Sequence, residues 1–179
     1  MPKKPAPLVV VMGVSGCGKS TVGRLIAKRL ACEFLEGDDV HPPRNLERMA
    51  VGIPLTDLDR HDWLKAIAEQ LADASAARYG LIVSCSALKR SYRNQLRTAS
   101  SELAFVHIHG SLEVLEARMH SRTGHFMPPS LLTSQLQTLE PPGADERCIT
   151  LDATMPPESI AEQVSLWLAQ PFSATAPRS

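Results

Sequence analysis

The chain has 179 residues, of which 44% are hydrophobic and 21% charged, a composition typical of a globular protein with one domain. Its 19 basic and 19 acidic residues give a formal net charge of zero, which argues against a nucleic-acid-binding protein that relies on overall positive charge. We therefore expect no nucleic-acid partner. No apolar run approaches the roughly 18 residues of a membrane span, and no signal-like segment precedes the first apolar run, so no membrane partner is expected either.

The first predicted elements are a strand, a glycine-rich loop and a helix. Leu8–Met12 is a continuous apolar run, typical of a strand buried on both faces. The next segment matches the pattern G-x-x-x-x-G-K-[ST], in which backbone N–H groups surround phosphates, the lysine reaches the β- and γ-phosphates, and the serine ligates Mg²⁺. The sequence therefore predicts that ATP or a related nucleotide is held by Gly13, Val14, Ser15, Gly16, Cys17, Gly18, Lys19, Ser20 and Thr21.

Strands and helices alternate through the rest of the chain. Further strands are predicted at Glu33–Glu36, Leu81–Val83, Ala104–His109 and Cys148–Leu151. Helices are predicted at Pro42–Val51, Asp57–Tyr79, Lys89–Ala99, Leu112–Arg122, Leu131–Leu139 and from about Pro156 onward. This alternation predicts an α/β fold with a parallel sheet, whose ligands bind at the carboxyl ends of the strands. We expect one domain over residues 1–179, with flexible ends at about 1–7 and 171–179.

Two carboxylates and a histidine follow the second predicted strand. Phosphoryl transfer needs a group that orients the nucleophile, and Asp38 is the candidate for that role. The alternative is that Asp38 or Asp39 caps the next helix. His41 either contacts a substrate or bonds a backbone carbonyl. The third predicted strand ends without an aspartate for the Mg²⁺ shell, so we expect Asp38 or Asp39 to supply that carboxylate, directly or through water.

Basic residues follow the third and fourth predicted strands. Lys89, Arg90 and Arg93 either attract an anionic substrate or form a solvated helix face. Arg118 and Arg122 lie four residues apart, on one face of a helix that precedes a glycine-containing loop. They fit a lid that brings positive charge to the transferred phosphate, or a surface helix end with favourable charge placement.

The four cysteines, Cys17, Cys32, Cys85 and Cys148, form no C-x-x-C pair, which favours reduced thiols in a cytoplasmic protein. Cys17 lies within the predicted phosphate loop, near a helix start that can activate a thiol. It is therefore either a reactive thiol that ATP protects or a small side chain that fills space.

Several motifs together resemble the small P-loop gluconokinases, which are related to the shikimate kinase and adenylate kinase folds. The phosphate loop alone is shared by many nucleotide-binding proteins. The stretches that together are specific to the family are D-x-D-R-x-x-W-L from Asp57, C-S-A-L-K from Cys85 and G-H-F from Gly124. The match also includes R-T-G-H-F-M from Arg122 and S-Q-L-Q-T-L-E-P-P from Ser134. The resemblance implies a three-layer P-loop fold of the nucleoside and shikimate kinase type, with five parallel strands, a helical substrate region and a lid at about residues 122–130.

The resemblance also implies a reaction, ATP + D-gluconate → ADP + 6-phospho-D-gluconate, with Mg²⁺ as cofactor and often a homodimer. Lys19, Asp38 and Arg122 would be catalytic, with Arg118 and Arg122 on the nucleotide. The residues expected to contact gluconate are Asp38, His41, Asn45, Arg60, Ser86, Lys89, His125 and Gln135. Independently of the resemblance, Arg60 and Lys89 can pair with a sugar-acid carboxylate. The alternative for Asp57-x-Asp59-Arg60 is an internal ion network at a helix start.

Two other functions fit the phosphate loop. One is a kinase for another small acceptor, such as shikimate or a nucleoside monophosphate, although only 4% of residues are aromatic and able to stack on a base. The other is a nucleotide-hydrolysing switch, which would need no acceptor. The polar residues at several strand ends argue against a switch.

Overall fold

Five parallel strands form the centre of the protein, in a computed structural model that describes residues 6–121 and 129–171. The strands are β1 (Leu8–Met12), β2 (Glu33–Glu36), β3 (Leu81–Ser84), β4 (Ala104–His109) and β5 (Cys148–Asp152). Their order across the sheet is β2-β3-β1-β4-β5, and every neighbouring pair is parallel. The expected α/β fold with a five-stranded parallel sheet is confirmed.

Helices connect the strands and cover both faces of the sheet. The described helices are α1 (Lys19–Leu30), α2 (Pro43–Ala50), α3 (Asp57–Ala77), α4 (Arg90–Arg97), α5 (Leu112–His120), α6 (Pro129–Thr138) and α7 (Pro157–Ala169). None of these helices is long and apolar enough to cross a membrane. Of the predicted lid, residues 122–128 lie outside the described part of the chain, and residues 129–130 begin α6.

The predicted helix ends differ from the structure by one or two residues for identifiable reasons. The third helix ends at Ala77 rather than Tyr79 because Arg78 adopts a left-handed conformation, with φ of 58°. Its backbone N–H then bonds the carbonyls of Ala74 and Ser75 and closes the helix. The sixth helix starts at Pro129, two residues earlier than predicted, since proline suits a first helical turn.

The central strand β1 is buried on both faces and divides the core into two clusters. Val9 and Val11 pack with α1 and α7 on one face, and Val10 and Met12 pack with α3 on the other. All four side chains are fully buried. Burial of each such side chain contributes about 1.5–3 kcal/mol, which makes β1 a rigid base for the loop that follows it.

The carboxyl ends of β1, β2 and β3 lie side by side. Val11 and Glu36 both pair with Ser84, so the segments after these strands leave the sheet at one level. Gly37 is required there, because a Cβ at this position would lie 2.0 Å from the Ser84 carbonyl oxygen. This close approach brings the segment after β2 against the segment after β3.

Candidate functional site

The phosphate loop runs from the end of β1 into the start of α1. Gly13, Gly16 and Gly18 have φ values of 142°, 80° and 102°, a region that favours glycine. Gly18 precedes α1, and among the described residues no side chain caps this helix start and no acidic residue lies in its first turn. The first N–H groups of α1 are therefore suited to an anion, as in other helix termini that bind phosphate.

Close packing fixes the shape of this loop. A Cβ on Gly13 would lie 2.6 Å from the Ile108 carbonyl oxygen and 2.8 Å from Cys17 Sγ. Cys17 is 1% exposed and packs in the apolar cluster that includes Val14 and Leu115. A thiol buried in this way fits the space-filling interpretation of Cys17 better than the reactive one.

The phosphate-binding side chains predicted from the sequence lie at this loop. Lys19 Nζ donates to the Val14 carbonyl oxygen at 3.1 Å, so its ammonium group folds back over the loop. Ser20 is half-buried in the first turn of α1, and Thr21 beside it is exposed. Arg118 reaches from α5 and donates to the carbonyl oxygens of Cys17, at 3.3 Å, and Ala153.

Gln135 contacts the phosphate loop. Its Oε1 accepts a hydrogen bond of 2.7 Å from the Ser15 backbone N–H. This contact joins α6 to the loop across 120 positions of sequence, so no local pattern could reveal it. Arg122 and His125, which were also predicted for the site, lie outside the described residues.

Asp38 and Asp39 lie in a 3₁₀ turn, Gly37–Val40, at the carboxyl end of β2. Pro42 precedes α2, and in the described part of the chain no side chain caps that helix. The predicted alternative, in which one of these aspartates caps α2, is therefore wrong. The Asp38 side chain is 57% exposed, which leaves its carboxylate accessible to a ligand.

His41 is buried and held between two side chains. Its ring stacks on Trp63 with centroids 3.9 Å apart, and Trp63 Nε1 donates to the Gly37 carbonyl oxygen at 2.7 Å. Asn45 Nδ2 lies 2.7 Å from the Asp59 carbonyl oxygen and 3.2 Å from His41 Nδ1. The sequence predicted that His41 contacts a substrate or bonds a backbone carbonyl, and neither prediction included this bond to Asn45.

This hydrogen bonding determines which nitrogen of His41 carries the proton. The Asp59 carbonyl can only accept, so the atom facing it must be the Asn45 amide nitrogen, and the same nitrogen donates to His41 Nδ1. The neutral ring therefore carries its hydrogen on Nε2, which lies 4.0 Å from Asp38 Oδ1. Burial, with a contribution from the positive charge of Arg60, lowers the pKa of His41 to about 4. His41 thus directs a neutral N–H group toward Asp38.

A charged cluster joins the start of α3 to the start of α4. Both oxygens of Asp57 accept from Lys89 Nζ at 2.9 Å, and Asp57 also accepts from the Tyr92 hydroxyl. Arg60 donates to the same hydroxyl at 3.4 Å, and its guanidinium lies 5.6 Å from the ring centre. The hydrogen bonds from Tyr92 and Lys89 lower the pKa of Asp57. The Asp57–Arg60 segment therefore contributes to an ion network, one of the two alternatives for it.

Asp59 and Tyr92 complete the description of this region. Asp59 and Thr56 form a reciprocal capping box at the start of α3, and Asp59 also pairs with Arg48. Tyr92 was not predicted as a site residue. The available signal was its position one turn after Lys89 in the R-S-Y-R segment, which places both residues beside Asp57.

The donor set at the strand ends fits Mg²⁺ held together with a bound phosphate. Among the described residues no group of three or more His, Cys, Asp or Glu side chains could hold a metal ion. Ser20 and one of the aspartates Asp38 and Asp39 offer hard oxygen ligands instead. Mg²⁺ usually takes one or two protein oxygens and completes its shell with phosphate and water, so this small set suits it.

The chain matches known proteins over most of its length. A family profile described as an AAA domain matches residues 8–142. The chain is 49% identical to a gluconokinase of Gluconobacter oxydans, over 87% of this chain and 88% of the relative. It is 41% identical to the thermoresistant gluconokinase of Escherichia coli, over 86% and 88% of the two chains.

Solved structures also match the chain over most of its length. A gluconokinase from Sinorhizobium meliloti superposes with a TM-score of 0.84 at 51% identity, over 93% of this chain and 94% of that one. A sugar kinase from Janibacter superposes with a TM-score of 0.89 at 47% identity, over 92% and 95%. The APS kinase of Mycobacterium tuberculosis, at 17% identity and a TM-score of 0.68, shares the fold.

The neutral, buried state of His41 predicts how stability depends on pH. In the unfolded chain its pKa returns to the ordinary 6.5, whereas in the folded chain it is about 4. As pH falls from about 6.5 to about 4, the unfolded chain binds a proton that the folded chain excludes, so stability is lost. Urea denaturation should show a larger loss between pH 7 and pH 5 in the wild type than in His41→Phe, which keeps a ring against Trp63. Equal losses in both chains would show that His41 is not held neutral.

Proposed function

The chain belongs to the gluconokinase family, and on that premise we propose how its residues phosphorylate gluconate with ATP. The reaction is ATP + D-gluconate → ADP + 6-phospho-D-gluconate. One observation of the site supports the mechanism most directly. The exposed carboxylate of Asp38 lies at the same edge of the sheet as the phosphate loop. The start of α1 lies there too, and among the described residues no side chain caps it. A carboxylate and a phosphate loop placed in this way can hold a phosphoryl donor and a hydroxyl acceptor next to each other.

We propose that residues 13–21 hold the phosphates of ATP. Their N–H groups surround the phosphate oxygens, and Lys19 exchanges the Val14 carbonyl for the β- and γ-phosphates. Ser20 and Asp38 or Asp39 would hold Mg²⁺, which when bound neutralises charge on the transferred group. Arg118 and Arg122 would add positive charge from α5 and the segment after it.

At the acceptor end, Asp38 accepts the proton of the attacking hydroxyl and orients its oxygen toward the γ-phosphate. The Nε2–H of His41 points to the same place and donates either to Asp38 or to a substrate hydroxyl. Asn45 keeps that hydrogen on Nε2, since its amide donates to Nδ1. A neutral donor suits this position because a protonated histidine would stabilise the Asp38 carboxylate and make it a weaker base.

For the opposite end of gluconate, Arg60 and Lys89 are the proposed partners of the carboxylate. Lys89 is held by Asp57, and both cations lie 5.6 Å from the centre of the Tyr92 ring. A bound carboxylate would replace part of the contact between Lys89 and Asp57. Ser86, His125 and Gln135 complete the proposed substrate contacts, and Gln135 also accepts a hydrogen bond from the phosphate loop.

We further propose that the enzyme works as a cytoplasmic homodimer in which residues 1–179 form one kinase domain and residues 122–130 a lid. Family membership supports the dimer and the lid. The scattered cysteines support the reducing compartment.

The acceptor is tested by an ADP-release assay with gluconate, shikimate and AMP as alternative acceptors. Gluconate should give turnover well above the acceptor-free background, and Lys19→Ala should abolish it while the chain stays folded by circular dichroism. Turnover with shikimate or AMP but not with gluconate would contradict the proposal. Equal ADP release with and without any acceptor would instead indicate a nucleotide-hydrolysing switch.

The role of Asp38 is tested by comparing Asp38→Asn with the matched variant Asp39→Asn. Asp38→Asn should lower kcat for gluconate about 100-fold or more, because the amide cannot accept the proton. Asp39→Asn, one position along the same exposed turn, removes at most a Mg²⁺ ligand, so its kcat should recover at saturating Mg²⁺, whereas that of Asp38→Asn should not. Near-normal kcat in Asp38→Asn would remove the proposed base.

A further inference from the structure

A buried ion pair, Arg93 with Glu146, lies behind the loop between β3 and α4. Arg93 Nε donates to Glu146 Oε1 at 2.8 Å, and Arg93 Nη2 donates to Oε2 at 2.9 Å. Both side chains are 1% exposed. This geometry is the paired, two-bond form in which arginine recognises a carboxylate most specifically. The interpretation of Arg93 as part of a solvated basic face is therefore wrong.

Further donors complete the surroundings of Glu146. Arg97 Nη1 donates to Oε1 at 2.8 Å, and the Gly143 backbone N–H donates to Oε2 at 2.9 Å. Burial alone would raise the pKa of Glu146, but the hydrogen bonds from Arg93, Gly143 and Arg97 hold it at about 2. Glu146 is therefore ionised at neutral pH and anchors the Arg93 guanidinium.

The remaining nitrogen of Arg93 holds the loop that follows β3. Arg93 Nη1 donates to the carbonyl oxygens of Ala87, at 3.0 Å, and Leu88, at 3.2 Å. Ala87 has a φ of 44°, in the left-handed region that favours glycine. A conformation of this kind is strained and persists only where surrounding contacts impose it. Arg93 supplies two of those contacts.

The same loop is tied to the phosphate loop and to the segment after α6. The Gly13 backbone N–H donates to the Ser86 carbonyl oxygen at 3.3 Å. The Glu140 backbone N–H donates to the Leu88 carbonyl oxygen at 2.8 Å, and Glu140 Oε2 accepts from the Arg90 N–H at 2.7 Å. Residues 85–89 are thus fixed from both sides, with Ser86 and Lys89 at the proposed acceptor pocket.

Stability alone is a weak reason for such a pair. Replacing a buried ion pair with apolar residues of similar size is often neutral or stabilising, because the charges must be taken out of water. An apolar pair could fill the space behind the loop, but it could not hold the carbonyls of Ala87 and Leu88. That is the property that distinguishes Arg93 from a space-filling residue.

We propose that Arg93 and Glu146 are positioning residues, which hold residues 85–89 in the shape that receives the acceptor. The proposal rests on the proposed function, since it assigns Ser86 and Lys89 to gluconate. It adds two residues that do not touch the substrate and act through the backbone of the loop.

The test compares Arg93→Lys with the matched control Arg97→Lys. Both variants keep a positive charge beside Glu146, but only Arg93 bonds the loop. Arg93→Lys should raise the KM for gluconate about tenfold through the loss of two hydrogen bonds. The Kd for ADP, measured by calorimetry without gluconate, should stay within about twofold. Arg97→Lys should leave both constants near wild type. Equal changes in KM in the two variants would overturn the proposal.

A second variant separates positioning from stability. Arg93→Met combined with Glu146→Leu should unfold at a temperature at or above that of Arg93→Met alone, yet keep a raised KM for gluconate. A double variant with wild-type KM would overturn the proposal, since the pair would then only fill space. If neither Arg93→Lys nor the double variant folds, the pair is needed for folding itself. That result would also overturn the proposal.

Hydrogen exchange gives a readout that needs no substrate. The amide of Glu140, bonded to the Leu88 carbonyl, should exchange faster in Arg93→Lys than in Arg97→Lys. If the wild type does not phosphorylate gluconate, the proposed function fails, while this measurement still decides whether Arg93 holds the loop. Equal exchange in both variants would show that it does not.

Discussion

The arrangement of the site depends on the burial of β1 at the third position of a five-stranded sheet. Val9, Val10 and Val11 are fully buried because helices cover both faces of the strand. The phosphate loop therefore begins from a strand that is buried on both faces, with β3 on one side and β4 on the other. In parallel sheets, ligands bind at the carboxyl ends of the strands, and in the proposed mechanism donor and acceptor meet at this central loop.

The two sides of the loop carry different chemistry. Beside β2 and β3 lie an accessible carboxylate, Asp38, a neutral His41 and the loop at residues 85–89, all suited to a hydroxyl-bearing acid. Beside β4 and β5, Arg118 bridges the loop and Ala153 with a permanent positive charge. In the proposed mechanism, this division places a carboxylate and a neutral donor near the attacking oxygen and Arg118 beside the phosphates, while Arg60 and Lys89 lie at the far end of the acceptor. On the first side, Arg93 of the buried Arg93–Glu146 pair bonds the backbone of the loop at residues 85–89.

Local patterns in the sequence predict the strands, the helices and the phosphate loop well, because each depends on nearby residues. Ends such as Ala77 differ because a left-handed residue closes the helix earlier than the apolar pattern indicates. Contacts between distant residues could not be predicted. The contact of Gln135 with Ser15 joins residues 120 positions apart, and that of Arg93 with Glu146 joins residues 53 apart. A basic run cannot reveal which arginine turns inward, so Arg93 was misassigned.

In the proposed mechanism, the γ-phosphate passes from ATP at the phosphate loop to a hydroxyl held at Asp38. A crystal structure of the protein with ADP, Mg²⁺ and gluconate tests it most directly. The terminal hydroxyl of gluconate should lie within about 3 Å of the Asp38 carboxylate, with the acid group directed toward Arg60 and Lys89. Gluconate bound in the reverse direction, or on the side of β4 and β5, would contradict it.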